Sequence, residues 1–336
     1  MIGEKYFAQM LVDYDPGNNN GGWNWSASTL SGFDFSLDSQ PYFRVFNPWR
    51  QAETYDSDCV YIKKWLPQLA SGEWIGAWGL TEANTGSDAG NMRCTATKNE
   101  NGNWVLNGTK NWITHGISAE IAVVLCRTSE PRAKNNATAF MVERNTPGFT
   151  AGKKENKLGM RASETAELIF ENCRLPQANV VGTVGSGPVK AGRGDTTGGD
   201  IFGDLELAAN ALGVCIDACE QAMKHAKTHK QGGAVLFEQQ MVQLKINKMN
   251  MLTEALRSLV LRVAWEHDHK IHSANAGLAM NYSTDVIQEV TELNLEIHGG
   301  AGSPEGRHAE KLVRDGFIWS HLAGDTVQRL KVAARL

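Results

Sequence analysis

The sequence is short of features that would send it to a membrane, an oxidising compartment or a nucleic acid. No run reaches the ~20 consecutive apolar residues that span a bilayer, and the opening MIGEKYFAQM has neither a basic n-region nor an apolar h-region. Six cysteines (Cys59, Cys94, Cys126, Cys173, Cys215 and Cys219) contain no CxxC pair, which argues against a zinc ribbon and for reduced core thiols. An excess of basic charge is also missing. Against 37 acidic side chains stand 33 basic ones, a net charge of −4 that provides no general footprint for DNA or anionic lipid. No cluster completes a metal-ligand set, so no metal is expected. These absences point to a cytoplasmic protein.

What is present suffices for more than one domain: 336 residues, 42% of them hydrophobic. Aromatic residues crowd the start, where residues 1–70 hold four of ten Trp, five of six Tyr and five of eleven Phe. The change in composition near Leu69-Ala70-Ser71-Gly72 marks a boundary, with a mostly helical or loop-like fragment before it. Residues 71–182 read as β, with short alternating runs at 104–106, 121–126, 139–142 and 167–170. Turn signals at Asn101-Gly102, Asn107-Gly108 and Pro147-Gly148 separate them, which suits a compact sandwich or barrel. Residues 183–203 contain seven glycines and read as a linker. From Asp204 onward apolar residues fall at three- and four-residue steps, as in Leu205, Ala208, Ala211, Leu212, Cys215 and in Val286, Val290, Leu293, Ile297. About four helices follow, the last near 308–335, and an antiparallel four-helix bundle over 204–336 is expected. The fold class is therefore α+β and multidomain.

Two segments carry chemistry. In LTEANTGSDAG (80–90), Thr81, Ser87 and the backbone around Gly86 offer hydrogen bonds to an anionic or carbonyl-rich ligand. In NGTKNWITHG (107–116), Trp112 and Thr114 lie two apart on one face of a strand, which suits stacking on a planar heteroaromatic ring with one hydrogen bond beside it. A buried core Trp in an ordinary hairpin is the alternative.

Five motifs in order, GAWGLTEANTGSDAG, NGTKNWIT, KLGMRASET, ENCRLP and IHGGAG, resemble the acyl-CoA dehydrogenases over roughly 71–336. The resemblance implies FAD held by a middle β-domain and a helical bundle. Leu80 and Thr81 would meet the flavin edge, Ser87 the pyrophosphate, and Trp112 and Thr114 the isoalloxazine, with Gly86 among the cofactor-binding residues. A neighbouring subunit would bring Gln231 and the Gly299-Gly300 turn to the adenine end, so a homodimer or homotetramer is implied. So are an acyl-CoA substrate, α,β-dehydrogenation and an electron-transferring flavoprotein as acceptor. The family's base is a Glu in a Tyr-Glu-Gly-Thr segment after an Arg-Asp pair. Here Arg314-Asp315 is followed by HLAGDT, which puts Ala323 at the base and leaves Asp325 and Glu206 as candidates. His229 and Gly232 stand where the family's Arg-x-Gln-Phe-Gly segment has Arg and Phe, and the family's N-terminal helical domain has no counterpart.

Residues 2–69 resemble instead the C-terminal part of DNA photolyases and cryptochromes, through DYDPGNNNGGWNW, SAST, PYFRVFNPWRQ and YIKKWLPQLA. That resemblance implies Asp13, Asp15 and Asn19 at an FAD and Trp23 as an electron-relay residue. A local charge of −3 over 1–70 leaves DNA out of the expected partners. A catalytically silent flavin-binding scaffold and a photolyase-like remnant are the rival readings.

Overall fold

The computed structural model describes residues 64–86, 91–131, 133, 136–185, 201–269, 271, 273–322, 329, 330, 333 and 334. They fall into two compact units. One is built on a sheet, and the other on helices together with the segment Leu158–Met160.

The sheet unit begins with a short helix, α1 (Leu66–Ser71), opened by Pro67 and closed by Gly72 in the left-handed region at φ 76°. Eight strands follow: β1 (Gly76–Gly79), β2 (Thr95–Lys98), β3 (Trp104–Thr114), β4 (Ile121–Arg127), β5 (Ala137–Glu143), β6 (Phe149–Lys154), β7 (Thr165–Leu175) and β8 (Val180–Val181). They form one mixed sheet in the order β6-β7-β3-β2-β4-β5-β8, with β1 parallel to β4. β1 and β2 share one edge of β4: Gly76–Gly79 pair with Ile121–Val124, and Thr95 then pairs with Arg127. The LTEANTG segment is therefore the excursion between two strands that border the same neighbour.

β4 and β5 are buried almost throughout, and their alternation separates two cores. Ala122, Val124, Cys126, Phe140 and Val142 face Trp104, Leu106, Leu168 and Phe170. Ile121, Leu125, Ala137, Ala139 and Met141 face the other way, onto Trp65, Leu80 and Met92. Trp65 is almost fully buried there, and its Nε1–H donates to Glu143 Oε1 at 2.8 Å. A boundary at residue 70 cuts through this cluster, so residues 64–71 go with the sheet. Asn107-Gly108, read as a turn, lies inside β3: the strand continues because Gly108 (φ 136°) passes so close to Cys94 that a Cβ would sit 2.7 Å from its Cα. Cys94 and Cys126 are buried there with their sulfurs 3.4 Å apart, both as free thiols.

In the helical unit, α2 (Ile201–Thr228), α3 (Gln240–Asp268), α4 (Asn275–His298) and α5 (His308–Leu322) share one core. A two-strand hairpin, β9 (Lys230–Gln231) with β10 (Ala234–Val235), links α2 to α3. α2 starts at Ile201, three residues before the helical part expected from Asp204. Its buried stripe is mostly alanine (Ala208, Ala211, Ala218, Ala222 and Ala226), which admits close approach of the apolar face of α4. The buried hydroxyls of Ser283 and Thr291 on α4 donate to their own helix, at Met280 O and Ile287 O (2.7 Å each). Among the described residues no helix is long and apolar enough to cross a membrane.

Candidate functional site

Each unit presents its own group of candidate residues. In the sheet unit the register of β3 against β7 shifts between Lys110 and Ile113, and Trp112 adopts φ 56° at that irregularity. A positive φ is costly for a bulky aromatic residue and marks a local constraint. The shift lets Lys110 and Ile113, three apart, both point inward, and Trp112 and Thr114 are both exposed on either side of Ile113. Trp112 is 54% exposed, so the buried-Trp alternative does not hold.

Beside it, the Asn111 N–H donates to Thr81 O at 2.9 Å, tying the LTEANTG segment to β3. Lys110 has no solvent exposure, and its Nζ donates to Leu80 O (3.0 Å) and Glu82 Oε1 (2.7 Å). Glu82 also accepts from the Arg93 N–H (2.6 Å) and the Cys94 N–H (2.9 Å). Burial would raise the Glu82 carboxyl, but the charge and hydrogen bond of Lys110, with those two amides, bring it below its ordinary value. Leu80 is thus buried and anchored, Thr81 half-buried and Gly86 exposed. Among the described residues, a Cβ on Gly86 would meet only the Thr81 methyl, at 3.8 Å. Thr85 Oγ1, close by in sequence, is buried with no hydrogen-bond partner among the described residues.

In the helical unit, Gln231, Gly299 and Gly300 line one cleft of about 250 Å³. With them are His225 from the end of α2 and His229 just past it, Lys245 from α3, and Glu296 and His298 from the end of α4. Gly299 has φ 56°, and a Cβ on either glycine would meet nothing within 4 Å. Elsewhere in the unit, Gly159 lies against α5 so closely that a Cβ would sit 2.2 Å from Arg314 O. The Met160 N–H donates to Asp315 Oδ1 (2.6 Å), and Arg314 Nη1 donates to Leu158 O (2.9 Å). The Arg-Asp pair of α5 therefore clamps the LGM segment. Glu206 is exposed on α2. Asp13, Asp15, Asn19, Trp23, Ser87, Ala323 and Asp325 lie outside the described residues.

Sequence reasoning missed Glu82 and Lys110, although both fall inside the motifs it singled out. Their signal is positional: Lys110 lies four residues from buried Leu106, on the inward parity of the strand, where a lysine needs a buried partner. His225, Lys245 and His298 were also missed, because residues from three helices meet only in the folded cleft.

Family models for the middle and C-terminal domains of acyl-CoA dehydrogenases match residues 77–173 and 203–336. A third model, the FAD binding domain of DNA photolyase, matches residues 1–97 and so overlaps the first over 77–97. An acyl-CoA dehydrogenase of Bacillus subtilis is 37% identical over 275 residues, covering 81% of this chain and 71% of that protein. The butyryl-CoA dehydrogenase structure from Megasphaera elsdenii superposes with a TM-score of 0.74 at 34% identity, covering 81% of this chain and 70% of its own. A chain in a structure described as the electron transferring flavoprotein of Acidaminococcus fermentans gives the same TM-score at 32% identity, covering 82% of this chain and 73% of its own.

Proposed function

The chain belongs to the acyl-CoA dehydrogenase family, and from that premise we propose that it binds FAD and acts on an acyl-CoA thioester by α,β-dehydrogenation. The observation that carries this reading is the exposed Trp112 ring, held at positive φ beside Thr114 and next to the braced Leu80–Glu82 segment. An indole more than half exposed at a strained position is not part of the sheet's buried core, and it suits a flat ring system. The Thr85 hydroxyl, without a partner among the described residues, the Gly86 backbone and the Gly299-Gly300 turn fit a large ligand with polar edges.

When bound, FAD supplies the hydride acceptor. Trp112 stacks against the isoalloxazine and the Thr114 hydroxyl donates to it. Leu80 and Thr81 meet the ring edge, with Gly86 and Ser87 at the pyrophosphate. Gln231 and Gly299-Gly300 serve the adenine end in a neighbouring subunit, which makes the working form a homodimer or homotetramer. The sheet unit closes as a compact β-domain and the four helices form an antiparallel bundle. Electrons leave to an electron-transferring flavoprotein. Asp13, Asp15, Asn19 and Trp23 belong to a photolyase-like segment over about residues 2–69.

Removal of the α-proton needs a carboxylate, and Ala323 at the family's base position supplies none. Asp325 and Glu206 are the remaining candidates, so turnover is slow. That alanine also favours a second reading, a flavin-binding protein without dehydrogenase activity. Trp112→Ala tests the cofactor site. We expect the purified variant to lose most of its visible flavin absorbance while its far-ultraviolet circular dichroism stays unchanged. Wild-type flavin content in that variant would remove the basis of the reading. Bleaching of wild-type flavin by butyryl-CoA then separates enzyme from binder.

A further inference from the structure

The cleft at the ends of α2 and α4 contains three histidine rings in a stack. His225 lies between the other two: its ring centroid is 4.7 Å from His229 and 4.3 Å from His298, with interplanar angles of 16° and 25°. His298 Nδ1 is 2.9 Å from Asn294 O, an acceptor, so that nitrogen carries a proton and the ring's second nitrogen is left to face the cleft's ligand. Near-parallel rings do not converge their nitrogens on one point, so the arrangement is not that of a metal site.

Charge in the cleft depends on these rings. From α3 comes Lys245, and from α4 comes Glu296, and the two neutralise each other through a 2.7 Å ion pair. The hairpin and the start of α3 contribute Gln231, Leu236, Met241 and Val242, none of which ionises. With the imidazoles neutral the cleft carries almost no net charge, and each proton taken up adds one positive charge to a confined space. Like charges at these separations repel, so the stack does not accumulate protons by itself. Burial, followed by the neighbouring His298 and His229, holds the His225 ring below its ordinary value. An anion in the cleft reverses that balance, because it stabilises the charged rings and they attract it in turn. The Gly299-Gly300 turn leaves room for the anion at their side.

We propose that His225, His229 and His298 form a proton-linked site for the diphosphate of an adenine nucleotide, which binds together with protons and more tightly as pH falls. This deepens the reading of Gln231 and Gly299-Gly300 as contacts to the adenine end of FAD, and rests on it for the nucleotide's identity.

The test uses the purified full-length protein at about pH 6 and about pH 8, either side of the ordinary imidazole pKa. Where flavin is bound, its release on dilution is followed by flavin fluorescence. Where the cleft is empty, ADP in the form of ADP-ribose, whose diphosphate is a diester that does not ionise between these pH values, is titrated calorimetrically in two buffers of different ionisation enthalpy, with adenosine as the phosphate-free control. One linked proton makes either ligand bind about tenfold more tightly at the lower pH. ADP-ribose binding also takes up protons, and adenosine shows no pH dependence. Acid loosening of the fold acts in the opposite direction, so the sign identifies the effect. His225→Gln abolishes the pH ratio. If that variant does not fold, His229→Gln, at an exposed position, reduces the ratio instead. Equal affinity at both pH values, or equal pH dependence for adenosine, overturns the proposal. Absence of flavin with pH-linked ADP-ribose binding would instead overturn the flavin reading and leave the site standing.

Discussion

Lys110 carries its charge at a position with no solvent exposure, which is tolerable only because Glu82 and Leu80 O receive its protons. Removing one partner of a buried pair leaves the other as an uncompensated charge, at about 3–5 kcal/mol. Lys110→Met should therefore lower the urea unfolding free energy by about that amount, and adding Glu82→Gln should recover part of it. The pH dependence has a definite sign. Glu82 titrates below its ordinary 4.5 in the folded protein, so its contribution is present above that value and is lost as pH falls through the folded value. The stability gap between wild type and Lys110→Met should thus narrow in acid. A gap independent of pH would show that the pair is not what the substitution removed. Both residues stood in plain view inside LTEANTG and NGTKNW. That they meet was not legible, because 28 positions separate them and only the crossing of β3 behind the excursion brings them together.

At the scale of elements, the strands appeared in the sequence shorter than they are. The alternating runs at 104–106 and 167–170 are parts of two eleven-residue strands, β3 and β7. Polar residues and Gly108 interrupt the apolar pattern, but the strands continue through two register shifts. A bulge needs an extra residue and a partner strand, and apolar periodicity records neither. The helices were easier to read, since their apolar stripes persist for many turns. Helix α1 shows the opposite failure. Most of it falls in YIKKWLPQLA, the end of the aromatic N-terminal segment, whereas Trp65 just before the helix fills the second core of the sheet and Lys64 and Trp65 both bond Glu143. A chain beginning at Lys64 should consequently be more stable than one beginning at Gly72 by about 3–5 kcal/mol, the usual cost of losing a buried tryptophan. Equal thermal unfolding of the two would place α1 outside the folding unit.

For the molecule as a whole, catalysis sets the most demanding condition, since cofactor, thioester and base must all be present together. A positioned general base contributes on the order of 10²–10⁴ in rate. Ala323→Glu should accordingly accelerate bleaching of the bound flavin by butyryl-CoA in a single-turnover experiment, by tenfold or more if about a tenth of that range is recovered. No gain in a variant that keeps its flavin would show that position 323 is not where the proton leaves.

The sequence by itself determined the order of a β-rich and a helical part, the family and the departures at Ala323, His229 and Gly232, because local periodicity and contiguous motifs survive in one dimension. Tertiary structure alone decided the rest. It turned Trp112 outward on a bulge and buried Lys110 against Glu82. It carried Trp65 into the sheet's second core, and it stacked His225 between His229 and His298. Each of these depends on which distant residues share a core or a cleft, and burial and charge take their meaning from those neighbours.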